Sequence, residues 1–142
     1  MPASCPTVDP NTGESLIDPV IEMFNLANPM RGTAEGLLTI VGGYVYRGQL
    51  APQLDGRYIF GAYSTQEMGP GGAVYAAVPQ SSAGLWTTEK ISFSGSPNGA
   101  VGHFVIGFGQ DQNGEVYVMT NDNTGPSGST GRVYRLTNTA AQ

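Results

Sequence analysis

The side chains able to do chemistry in this chain fall into three groups. His103 is the only histidine, and so the only side chain whose ordinary pKa suits a base near neutral pH. It follows Gly102 at the start of an apolar run, with no acid beside it in sequence to orient it. It is therefore a weak catalytic candidate, and a strand-end structural or solvated histidine is the competing reading. The second group is oxygen-rich: Asp111, Asn113 and Glu115 alternate in DQNGE, and Asn121, Asp122 and Asn123 cluster in TNDNTG. Carboxylates and amides at this spacing suit calcium, with Asp111, Asn113 and Asp122 as candidate ligands. Asp-x-Asn-Gly is also ordinary hairpin-turn chemistry, because Asn and Gly accept positive φ. The third group is Arg47 in YVYRG, Arg57 in GRYIF, and Trp86 after Leu85. Arginines flanked by aromatics, and a tryptophan platform, could bind a sugar or an anion by stacking and forked hydrogen bonds. The alternatives are arginine stems laid over neighbouring rings or paired with Asp55 or Asp18, and a tryptophan packed inside the fold.

Several chemistries are excluded. One His and one Cys, with no nucleophile-elbow pattern, leave no readable nucleophilic triad. The loops STQEMGPGG and NDNTGPSGSTG carry no lysine and open no helix, so they do not cradle phosphate. The net charge is −5 and the six basic residues are scattered, which argues against nucleic acid as a partner. No apolar stretch approaches the roughly 20 residues of a membrane span. The first 14 residues lack the basic and apolar regions of a signal peptide. Cys5, the only cysteine, reads as an incidental thiol in a leader or as one half of an intermolecular disulfide.

The elements that must position these groups are β-strands. DGRYIFGAYSTQEMGPGGAVYAAVP (Asp55 to Pro79) and NGEVYVMTNDNTGPSGSTGRVYRLT (Asn113 to Thr137) share one plan: a Gly turn, an alternating apolar strand, a Gly-Pro loop and a second strand. Aligned on their tyrosines, Tyr58 falls opposite Tyr117 and Tyr75 opposite Tyr134, both pairs 59 positions apart. A fixed-period β unit of this kind points to propeller or solenoid construction, in which a unit buries its apolar face only against a neighbour.

The reading along the chain is a leader over residues 1–17, a strand over 18–24, one four-stranded blade over about 37–95, and a second blade over about 102–137 that stops one strand short. Gly42 and Gly43 suggest a bulge or a close backbone approach. Charged residues are only 12%, and 21 Gly with 10 Pro make turns frequent, in keeping with an all-β protein. The expected fold is thus all-β, two four-stranded propeller-type blades forming a partial propeller. Two blades do not close a ring of 4 to 8, so completion must come from oligomerisation or from sequence outside this chain.

GGYVYRG (Gly42 to Gly48), LDGRYIFGAYS (Leu54 to Ser64), GAVYAA (Gly72 to Ala77), FGQDQNGEVYVMTND (Phe108 to Asp122) and GRVYRL (Gly131 to Leu136) resemble the C-terminal blades of the glucose/sorbosone dehydrogenase family. These are six-bladed propellers typified by soluble sugar dehydrogenases that depend on pyrroloquinoline quinone (PQQ), and the family includes hedgehog-interacting-protein-like ectodomains. The resemblance implies an extracellular or periplasmic location, calcium, and in catalytic members oxidation of a sugar hydroxyl by hydride transfer to PQQ. In those members the catalytic histidine and most calcium ligands lie in blades this chain does not match. Two arginines on the strand before the turn matching Gln110 to Gly114 hold the anionic quinone. Here that strand has Phe104, Val105 and Ile106, and no basic residue occurs between Lys90 and Arg132.

The expected function is a sugar-dehydrogenase-like propeller segment that is not catalytic alone. The alternative is a non-catalytic extracellular module that binds glycan or protein, or self-assembles. As a homo-oligomer, three copies would give six blades, with Asp18 to Phe24 of each completing a neighbour's last blade.

Overall fold

A computed structural model of the chain describes residues 6–81, 84–125 and 127–138. Cys5 lies outside them. The strands are β1 (Phe24–Asn25), β2 (Gly36–Leu37), β3 (Ile40–Val45), β4 (Tyr58–Ala62), β5 (Ala73–Val78), β6 (Thr87–Lys90), β7 (Phe104–Gln110), β8 (Val116–Asn121) and β9 (Arg132–Arg135). β3-β4-β5-β6 form one antiparallel sheet in sequence order and β7-β8-β9 a second, while β1 and β2 make a short parallel pair. The protein is all-β and propeller-like: two meandering blades whose first strands, β3 and β7, pack side by side. None of the described helices is long and apolar enough to cross a membrane.

Each of these first strands carries a one-residue bulge against its neighbour, between Val41 and Tyr44 in β3 and between Val105 and Gly107 in β7. The Gly42-Gly43 pair marks the first, as its sequence suggests. A Cβ on Gly43 would lie 1.9 Å from the carbonyl oxygen of Ile59, so no larger residue fits at that approach.

Period-two alternation divides each blade's side chains between two faces. Ile59, Val74 and Ala76 of blade one and Val105, Phe108, Val116, Val118 and Leu136 of blade two share one buried cluster, the core between the blades. Phe60, Ala62, Ala73, Tyr75 and Ala77 face the other way, where Ile21, Met23, Tyr58 and Trp86 pack on them.

The strand expected over residues 18–24 is regular only at Phe24–Asn25, which pairs with Gly36–Leu37. Pro19 has no N–H to give, and upstream of β1 the segment shares a 2.7 Å bond from Trp86 N to Val20 O with the blade. It lies across the blade's outer face through Ile21 and Met23.

Candidate functional site

The strongest constellation of chemical groups gathers at one end of blade two. The β7–β8 register pairs Phe104 with Asn121, so His103 and Asp122, the next residues outward, come together across the hairpin. The Nδ1–H of His103 donates to Oδ1 of Asp122 in a very short contact. The other Asp122 oxygen, Oδ2, accepts from Arg132 Nη1 at 2.9 Å. Tyr134 Oη lies 3.2 Å from His103 Nε2, with the two rings stacked at 6.0 Å and 14°. Asp122 can only accept, so it sets a proton on Nδ1 and leaves Nε2 facing the tyrosine hydroxyl. Hydrogen bonds first from Arg132 and then from His103 hold the Asp122 carboxyl below its usual range.

Three strands supply this cluster because one register runs through all of them. β9 sets Arg132 opposite Thr120 and Tyr134 opposite Val118, two apart and so on one face. The β8–β9 loop is held by its own side chains: Asn121 Nδ2 donates to Gly125 O at 2.9 Å, Asn123 Nδ2 to Ser127 O at 3.0 Å, and Asp122 N to Thr130 Oγ1 at 3.2 Å.

Beside the imidazole lies a cavity of about 230 Å³, bounded by Phe93, Ser94 and Ser96 of the connection between the blades and by His103, Tyr134 and Arg135. It offers two aromatic walls and two hydroxyls. That volume lies below the ~300–1,000 Å³ of sites for drug-sized ligands, and suits a single ring-sized group.

The oxygen-rich turn serves a different purpose. Asp111 Oδ1 accepts from Asn113 N at 2.9 Å and Glu115 N at 3.0 Å, and its Oδ2 accepts from Tyr117 Oη at 3.0 Å. Glu115 is only 5% exposed and reaches into blade one. It accepts from Tyr46 Oη at 2.6 Å, Gln49 N at 2.7 Å and Leu50 N at 3.1 Å. Burial by itself would raise the Glu115 carboxyl, but these bonds outweigh it and hold the group below its usual range. Burial, and then the bond to Glu115, pushes the Tyr46 phenol up to about 12.

Asp111 and Asn113 precede β8 and Asp122 follows it, so the six residues of that strand separate them by roughly 20 Å. The candidate calcium ligands therefore do not converge, and no group of three or more metal-binding side chains occurs among the described residues.

The remaining candidates are scattered. Arg47 pairs with Asp55 at 3.5 Å in the open, and Arg57 pairs with Glu89. Trp86 is half-buried on the outer face of blade one. Arg31 donates to the carbonyls of Leu26 and Ala34, and Lys90 pairs with Glu35. β7 carries no cation. These residues do not fit an anionic quinone, which needs paired cations aimed at one place.

Two arrangements escaped the sequence reading: Asp122, Arg132 and Tyr134 around His103, and Glu35 joined to Tyr75 at 2.8 Å and to Lys90. The first had a signal in the hairpin register about Asn113-Gly114. The second had none, since 40 residues separate Glu35 from Tyr75.

No protein-family model matches the chain, and no solved structure matches it significantly. Among curated proteins it is similar to Hedgehog-interacting protein of Homo sapiens, 30% identical over 100 residues, or 68% of this chain and 13% of that protein. The Mus musculus protein of the same name is 29% identical over 100 residues, with the same coverage. The chain thus spans about an eighth of the length of these relatives.

Proposed function

We propose that this chain is a non-catalytic extracellular propeller segment that recognises a partner at the cavity beside His103. One observation carries the reading: both nitrogens of the chain's only imidazole are engaged by its own residues, Nδ1 by Asp122 and Nε2 by Tyr134. Tyr134 both closes Nε2 and stacks on the ring, so the lone pair that a base would turn to a substrate is built into a wall of the cavity. The similarity to Hedgehog-interacting protein, named for an interaction with another protein, supports recognition as the task and an extracellular setting.

A ring-sized side chain on a protein surface is the group this reading places in the cavity. A second reading, a sugar ring on a glycan, is favoured by the cavity's own chemistry. Tyr134 and Phe93 give faces for stacking, and Ser94 and Ser96 give hydrogen-bonding groups. A dye-reduction assay with added PQQ, calcium and a panel of aldoses tests the non-catalytic assignment. No turnover is expected; turnover abolished by His103→Ala would overturn it.

A further inference from the structure

The outer edge of β9 is a second feature with a chemical logic of its own. Leu136 N donates to Val116 O at 2.9 Å, and antiparallel pairs alternate between bonded and non-bonded. Tyr134 and Arg132 therefore face β8 with their backbone groups, while those of Val133 and Arg135 point away from the sheet. In blade one the same positions are covered: Ile91 N donates to Val74 O at 2.9 Å and β6 continues the ladder along β5. On β9 no strand does so among the described residues, all four residues are exposed, and Val133 is 65% exposed. A bare edge with an exposed apolar residue invites another strand.

We infer that this edge receives residues 18–24 of a second copy of the chain as its fourth strand. Set antiparallel with Glu22 opposite Arg135, the segment DPVIEMF matches the edge on both faces. Phe24 then falls opposite Val133, pairing apolar with apolar beside the charge pair. On the other face Met23 falls opposite Tyr134 and Ile21 opposite Leu136. Glu22 and Phe24 present the backbone groups that bond to β9. Pro19 falls at a position facing away from β9, where its missing N–H costs no bond to that strand.

The segment is also placed to leave its own blade. In the single chain Ile21 and Met23 cover the face formed by Phe60 and Tyr75, Val20 takes one backbone bond from Trp86 N, and Phe24 pairs with Gly36 of β2, a pairing that release must also break. Glu22 is exposed and Phe24 is 42% exposed. Release uncovers an aromatic face of blade one. The face of blade two turned away from its partner blade carries Tyr117 and Met119 and can pack on it. Each copy then donates a strand to one neighbour and receives one from the other, a head-to-tail contact that closes as a ring. With two blades per copy, rings of 4 to 8 blades take two to four copies, and three give six blades.

Sedimentation velocity or mass photometry of the full 142-residue chain, with circular dichroism as a check on folding, tests this. A discrete closed species of two to four chains is expected. Val133→Pro removes an outward-facing N–H that makes no bond within the sheet and should shift it to monomer. Glu22→Arg and Arg135→Glu should each weaken association at least tenfold, and the double variant should restore it. A folded monomer at all concentrations, or an oligomer indifferent to Val133→Pro and to the charge exchange, would overturn the proposal.

Discussion

Tyr46 and Glu115 meet at 2.6 Å across the two blades, the phenol at the end of one first strand donating to the carboxylate at the hairpin turn of the next. The same phenol oxygen accepts from Ala51 N at 2.7 Å, so one side chain closes the Arg47–Leu50 loop and fastens it to blade two. Tyr46→Phe leaves both partners short of a bond in a fully buried place. It should cost about 1–3 kcal/mol, read as a lower urea midpoint at unchanged slope.

Gly48 shows how tight this joint is. A Cβ there would lie 2.4 Å from the carboxylate of Glu115. Gly48→Ala should destabilise by roughly 1–3 kcal/mol through overpacking, while alanine at Gly32, where nothing lies within 4 Å, is strained only by its φ of +56°. Parallel thermal melts of the two variants separate crowding from backbone strain.

Acid should loosen the molecule. Glu115 and Asp122 both titrate below their unfolded values in the native state. A group with a lowered folded pKa contributes stability that is complete above its unfolded pKa, about 3.9 for Asp and 4.3 for Glu, and is lost as pH falls through the folded value. Stability from these groups should therefore be constant above about pH 5 and decline below about pH 4. Glu115→Gln should flatten that decline, and equilibrium urea curves between pH 3 and 7 measure it.

Asp122 fixes the His103 proton on Nδ1, and Asp122→Asn removes the charge that does so without changing the side chain's size. Nitrogen-15 spectra of the histidine ring should show the Nδ1–H form in the parent protein and a mixture of tautomers in the variant. An unchanged spectrum would mean that Arg132 and Tyr134 suffice to set the ring.

The two-blade architecture was legible because the Gly turns and alternating runs repeat, but the repeat misled about faces. Gly56 and Gly114, both at positive φ, begin equivalent strands 58 positions apart, whereas Tyr75 and Tyr134 are 59 apart. Phe60 pairs with Tyr75 as Val118 pairs with Tyr134, which makes Phe60 and Val118 the equivalent residues. Tyr58 therefore corresponds to Val116. Tyr117 points to the opposite side of its blade, because a shift of one residue reverses every side chain. The His103 cluster stayed hidden for a related reason. Its members are 19 to 31 residues from the histidine, and only strand register, not local spacing, brings them to one ring.

The most direct test of recognition at the His103 cavity is biolayer interferometry of the immobilised chain against a purified Hedgehog domain and a glycan panel, repeated with Tyr134→Ala. The account predicts binding to a member of this set that weakens at least tenfold in the variant while the circular dichroism spectrum is retained. Absence of binding to any of these probes, or binding that Tyr134→Ala leaves unchanged, would contradict it.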